Sequence, residues 1–197
     1  MEDTSSNWDC EYHEGRWHFL NDIKEAARYG ILSAWLSQCD ATDKVLDVGC
    51  GEAIFYHYLK RLGLKHYCGV DLSEAALARA KVDPNHAELI KSDLESYTCK
   101  PDQRYSAIIF NEVLYFCENP ETLLKKYASY LSKNGVIAIS MYAPDRETSG
   151  ANKSIKKVWQ ETDNSKQWRV LDDLELKSSA KNVGWKLRLV QPIKISD

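Results

Sequence analysis

Six cysteines stand in this chain, yet no two form a CxxC pair: Cys10, Cys39, Cys50, Cys68, Cys99 and Cys117 are scattered over 197 residues. Metal-ligand spacing is therefore absent, and a disulfide scaffold does not suit a chain of this length. With Cys50 and Cys68 in or beside expected core strands, a reducing, cytoplasmic compartment is the simplest expectation. Basic charge is not in excess either. Lys and Arg number 26 against 29 Asp and Glu, a net charge of −3, so no broad basic face is advertised and no nucleic-acid partner is expected. No apolar run approaches membrane length, and the opening MEDTSSNWDCEYHEG is acidic and polar rather than signal-like, so no membrane association is expected. Repeats and low-complexity segments are not evident, and the length fits a single domain, residues 1–197, able to bury a proper core.

The segment around which the rest is organised is Val45 to Ala53, VLDVGCGEA. Val45, Leu46 and Val48 read as a buried strand, Gly49-Cys50-Gly51 as a turn, and Ile54 to Leu62 as the helix that follows. Glycine has no Cβ, so such a turn lets backbone lie against a ligand while the free N–H groups opening the helix face it. Tyr67 to Leu72 is the next strand. It ends in Asp71, about 20 residues after the glycines, where a carboxylate can accept hydrogen bonds from both ribose hydroxyls of a nucleoside.

The dinucleotide fingerprint GxGxxG is incomplete here: Gly49 and Gly51 are followed by Ile54, with Ala53 beside it. Asp47, two residues before Gly49, would repel a pyrophosphate and attract the ammonium of an amino-acid moiety. The remaining chain alternates strands and helices. Strands are expected at 87–91, 105–110 and 136–141, with an antiparallel pair at 168–177 and 185–190. Helices are expected at 20–37, 74–80 (capped by Ser73), 120–131 and 153–160, and residues 1–14 read as a loose arm. The 20–37 helix is given an apolar stripe of Ile23, Ala26, Ala27, Ile31, Ala34 and Trp35.

These residues resemble the class I S-adenosylmethionine-dependent methyltransferases, whose first motif is an acidic residue, any residue, then GxGxG. Here it reads Asp47-Val48-Gly49-Cys50-Gly51-Glu52-Ala53, with alanine at the last glycine. The resemblance covers residues 44–190. It implies an α/β fold, a Rossmann-like seven-stranded, mostly parallel sheet with helices on both faces and an antiparallel last strand, preceded by an arm and helix (1–37) that form a lid. It also implies S-adenosyl-L-methionine as cofactor and S-adenosyl-L-homocysteine as product.

By the same resemblance, Asp47, Gly49, Cys50, Gly51 and Asp71 hold the cofactor, Leu72 lies against adenine, and Asp93 with Leu94 meets the adenine edge. Asn111 stands near the methionine part, with Trp17 and Tyr29 contributing from the arm. Tyr12 and Tyr115 are expected on the acceptor, and His18, His13 or Glu112 is the candidate base. The sequence NEVL after the fourth strand is not the NPPY-type motif of adenine or glutamine methylation, and the paired glutamates of arginine methyltransferases are missing. Without an added recognition domain or basic surface, a small-molecule acceptor is favoured, methylated on N or O. A faint similarity to amino-sugar and nodulation-factor N-methyltransferases points the same way. A macromolecular acceptor, or a catalytically silent cofactor-binding subunit, is the alternative; the oligomeric state is open.

Overall fold

The computed structural model describes residues 4–146, 148–179 and 183–193. Its centre is a seven-stranded sheet of order β3-β2-β1-β4-β5-β7-β6. The strands are β1 (Lys44–Val48), β2 (His66–Asp71), β3 (Ala87–Lys91), β4 (Tyr105–Asn111), β5 (Leu131–Tyr142), β6 (Trp168–Ser178) and β7 (Val183–Pro192). Strands β1 to β5 pair in parallel, and β7 inserts antiparallel between β5 and β6. This is the fold class expected from the sequence.

The inner parallel strands β1, β2, β4 and β5 are buried on both faces along most of their length, which is why they read as continuous apolar runs, whereas the edge strand β3 is only half-buried. Successive side chains go to opposite layers. Leu46, Val48, Ile108, Phe110, Ile137 and Ile139 enter one core with Leu124 and Tyr127 of α5 (Pro120–Ala128) and Val158 of α6 (Gly150–Thr162). Val45, Ala107, Ile109, Val136 and Ala138 enter the other, with Leu32 and Trp35 of α2 (Ala26–Gln38) and Phe55 and Leu59 of α3 (Ile54–Lys60). Helices thus cover both faces. Among the described residues no helix is long and apolar enough to cross a membrane.

The amino-terminal segment departs from expectation. Residues Thr4–His13 form a helix, α1, rather than a loose arm, and the 20–37 helix begins only at Ala26 after two short 3₁₀ turns, His18–Asn21 and Ile23–Glu25. The stripe is met only in part: Trp35 is buried and Ile31 packs against the same core, but α2 otherwise buries Arg28, Tyr29, Leu32 and Leu36, and Ile23 is 84% exposed. The broken start sets the helix phase, so a stripe counted from Ile23 is rotated away from the core. Helix α4 (Glu74–Arg79) starts at Ser73 as expected, its hydroxyl accepting from the Ala76 N–H at 3.1 Å.

Candidate active site

The strand order reverses between β1 and β4, so a crevice opens beyond their carboxyl ends. The turn after β1 forms its floor. The N–H groups of Gly49 and Cys50 both donate to the Val70 carbonyl, at 2.7 and 3.0 Å, and the Gly51 N–H donates to Asp71 Oδ2 at 2.7 Å. The Ser73 N–H donates to the other Asp71 oxygen at 2.9 Å. Each oxygen of this carboxylate keeps acceptor capacity for a further donor. Burial pushes the Asp71 carboxyl upward in pKa, and the backbone donors oppose that.

Glycine is required in the turn for two reasons. Gly49 and Gly51 have φ of 70° and 54°, and a Cβ on Gly49 would strike Val113 while one on Gly51 would sit 2.5 Å from the Tyr12 hydroxyl. Ala53, where the resemblance would have a glycine, takes the left-handed region too, at φ 55°, fully buried.

Asp47 lies on the same face of β1 as Val45 and is 2% exposed. The Tyr67 hydroxyl donates to it at 2.6 Å. Burial raises its pKa to about 7, against the Tyr67 hydrogen bond and with help from the charge of Asp71. A buried carboxylate this reluctant to ionise would gain most from a cation beside it.

Across the same crevice stands Arg28, 1% exposed on α2. It donates to Asn111 Oδ1 at 2.6 Å and to Glu25 Oε2 at 3.1 Å, and its guanidinium lies 4.4 Å from the centre of the Tyr29 ring. Burial disfavours its charge, but Tyr29, Glu112 and Glu25 outweigh that and hold its pKa up.

Two connected cavities result. The larger, about 450 Å³, runs from Asp71, Leu72, Asp93 and Leu94 to Asn111 and Glu112. The smaller, about 50 Å³, lies among Arg28, Tyr29, Asp47 and the glycine turn. Tyr12, Trp17, Leu20, Gly49, Asn111 and Glu112 border both. Of the residues expected at the site, Tyr12, Trp17, Tyr29, Asp47, Gly49, Cys50, Gly51, Asp71, Leu72, Asp93, Leu94, Asn111 and Glu112 therefore line this space.

Three expected residues do not. His13 and His18 are exposed on the outer side of the arm and border neither cavity; α1 turns its Tyr12 inward, which puts the next residue outward. Tyr115 is directed into the protein: its hydroxyl donates to Glu112 and accepts from the Tyr142 N–H at 2.6 Å. It sits in a 3₁₀ turn, Leu114–Phe116, where successive side chains rotate by about 120°, so Phe116 takes the cavity-facing place. Glu112 also has structural work: it takes φ 63°, and its carboxylate accepts from Tyr115, from Ser140 Oγ at 2.7 Å and from the Tyr142 N–H at 2.8 Å.

The sequence reading missed Trp8, Leu20, Arg28 and Phe116, which also line the space. Trp8 sits in a polar stretch with no periodic signal, and Arg28 falls outside the apolar stripe expected of the 20–37 helix. Rings link across the mouth: Phe116 to Trp8 at 4.9 Å, edge-on, Trp8 to Trp17 at 5.8 Å, and Trp17 to Phe19 at 6.0 Å. The arm is pinned over the cavity by Asp9, which accepts from Ser73 Oγ at 2.6 Å and the Ala75 N–H at 3.0 Å. Arg79 adds a hydrogen bond to the Tyr12 carbonyl at 2.5 Å.

The sequence profile of a methyltransferase domain matches residues 17–190. A ubiquinone biosynthesis O-methyltransferase of Bradyrhizobium diazoefficiens is 34% identical over 104 residues, 49% of this chain and 39% of the relative. The matches to the curated relatives span less than half of the relatives' own length. Among solved structures, the N-methyltransferase NodS of Bradyrhizobium japonicum, in complex with S-adenosylhomocysteine, superposes with a TM-score of 0.69 at 18% identity, covering 90% of this chain and 92% of that one. The 1,6-didemethyltoxoflavin N1-methyltransferase of Burkholderia thailandensis does so with a TM-score of 0.74 at 15% identity, covering 98% and 88%. At these identities the likeness is one of fold.

Proposed function

The chain belongs to the methyltransferase-domain family, and on that premise we propose that it binds S-adenosylmethionine in the paired cavities and methylates nitrogen or oxygen of a small acceptor. The observation that carries this reading is the spacing of two carboxylates, Asp47 buried and Asp71 half-buried, around one glycine turn. Asp71, held by the Gly51 and Ser73 N–H groups, is shaped for vicinal ribose hydroxyls. Asp47, on the far side of the turn, is shaped for an ammonium, and Arg28 opposite it for a carboxylate.

An amino-acid zwitterion fits between those two charges, and a nucleoside fits the larger cavity, with Leu72 and Val113 for the adenine face and Asp93 for its amine. Asn111 and Tyr29 would then border the methionine portion, with Trp17 above it and the Cys50 backbone below. When bound, the cofactor supplies a methyl carbon on a sulfonium whose bonding electrons stay with sulfur, leaving S-adenosylhomocysteine. The protein's part is to align the acceptor and exclude water, a role that falls to Tyr12, Trp17 and Leu20, which border both cavities.

Glu112 borders the reacting region and serves as the candidate base, although its three hydrogen bonds also suit it to positioning β4 against β5. The exposed positions of His13 and His18 do not favour them for that role. A small acceptor is supported by the aromatic rim of Trp8, Trp17 and Phe116 and by a cavity of about 450 Å³, which the cofactor would largely fill. The test is replacement of Asp71 by alanine. Loss of S-adenosylmethionine binding supports the assignment, and unchanged affinity sinks it; transfer of label from the cofactor's methyl group to amines, sugars and phenols then identifies the acceptor.

A further inference from the structure

Charge in the cavities is one-sided. Around the methionine end stand Asp47, Glu52 and Glu112, and towards the mouth Asp71, Asp93, Glu95 and Glu118. Among the described residues Arg28 is the only lysine, arginine or histidine that lines either cavity; besides its pairing with Glu25 at 3.1 Å it is the group assigned to the cofactor's own carboxylate, so it is not left over for an anionic acceptor. Glu52 has Arg79 at 3.5 Å, whereas no other lining carboxylate has a Lys, Arg or His nitrogen within 4 Å among the described residues.

The wall facing these acids is aromatic. Trp17 borders both cavities, and Trp8 and Phe116 border the larger; the rings continue through Trp17 to Phe19, which is 53% exposed beside the mouth. A cleft with low-dielectric walls and one sign of charge concentrates the opposite sign and repels its own. Aromatic faces add attraction for cations and for flat apolar rings. The cofactor brings one net positive charge, fewer than the carboxylates present.

We propose that the acceptor is an amine carrying a flat apolar ring, bound over Trp17 as its ammonium, and that anionic acceptors are excluded by the cavity's own carboxylates. This rests on the methyltransferase reading and adds the acceptor's charge and shape to it. The amine would bind protonated and must shed one proton, to the Glu112 carboxylate and from there to solvent, before its nitrogen lone pair can form the new bond to the methyl carbon as the carbon–sulfur bond of the cofactor breaks.

The experiment uses two probes of equal size and opposite charge, phenethylamine and phenylacetate, titrated by calorimetry into full-length protein saturated with S-adenosylhomocysteine. The expected result is at least tenfold tighter binding of phenethylamine, weakened by 0.5 M salt (about a 4 Å screening length) and several-fold by Glu118→Gln at an exposed position, with circular dichroism checking that this variant is folded. Replacement of Trp17 by leucine should weaken the amine further. Equal or tighter binding of phenylacetate, or no binding of either probe to protein that holds S-adenosylhomocysteine, overturns the proposal. Failure to bind S-adenosylhomocysteine itself is a different result, and takes down the methyltransferase reading with it.

Discussion

Arg28, on the second helix, donates to the side chain of Asn111, 83 residues later, at 2.6 Å. This bond fastens the arm segment to the end of β4, where the sheet's strand order reverses, and it does so with a fully buried charge. Replacing Arg28 by alanine removes the guanidinium from the Glu25 carboxylate and from Asn111 Oδ1, so the expected loss is about 3 kcal/mol of stability, with at least a tenfold loss of S-adenosylhomocysteine affinity. Arg28→Lys keeps the charge but not the planar fork and should fall between. Denaturant melts and calorimetry read both; a stable Arg28→Ala protein with normal affinity would contradict the role given to Arg28.

Asp47 predicts a pH dependence of binding. Burial holds its pKa at about 7 in the free protein, so below that pH the group is largely neutral. An ammonium beside it favours the ionised form, and binding then releases a proton. Affinity should therefore rise with pH, by up to about tenfold per unit between pH 5.5 and 7, and level off above. The stability sign is the reverse: a raised pKa contributes stability that is full below about 4 and is lost as pH rises through 7. Asp47→Asn should flatten both trends, and an unchanged pH profile of binding in that variant would rule Asp47 out.

Gly51 and Tyr12 should be coupled. Alanine at position 51 would place its Cβ 2.5 Å from the Tyr12 hydroxyl but 3.6 Å from the ring carbon that bears it. Gly51→Ala alone should cost stability and ligand affinity, and adding Tyr12→Phe should recover part of both. The remaining deficit, roughly 1 kcal/mol, is the cost of a left-handed conformation in a residue other than glycine. Additive effects in the double-mutant cycle would mean that the two residues do not touch.

Asp9 closes the arm. Its contacts with Ser73 and the Ala75 N–H lower its pKa, so the clasp persists well into the acid range. Asp9→Ala should loosen α1, speeding tryptic cleavage after exposed Arg16 while leaving the sheet's melting temperature nearly unchanged, and bound S-adenosylhomocysteine should slow that cleavage again.

The parts of this molecule legible in the sequence are those dictated by local pattern. The inner parallel strands announced themselves as apolar runs because both faces are covered, and the glycine turn and Asp71 because a fixed spacing of residue types carries them. Ser73 was readable as a cap because capping depends on one side chain and the next turn. What could not be read were features set by tertiary context. Helix α1 has no strong apolar periodicity and is held by its contacts with α4, so Trp8 was invisible. The 3₁₀ turn that exchanges Tyr115 for Phe116 at the cavity wall is a single-residue phase shift. Arg28 looks like surface charge until Asn111 and Glu25 arrive to meet it.

The central claim is that the cavity between Asp47 and Asp71 holds S-adenosylmethionine. Calorimetric titration of the full chain with S-adenosylmethionine and S-adenosylhomocysteine tests it most directly. Both are expected to bind with micromolar dissociation constants, and Asp71→Ala to abolish both. Absence of binding by either compound to the folded wild-type protein would contradict it and leave the glycine turn as a feature of the fold alone.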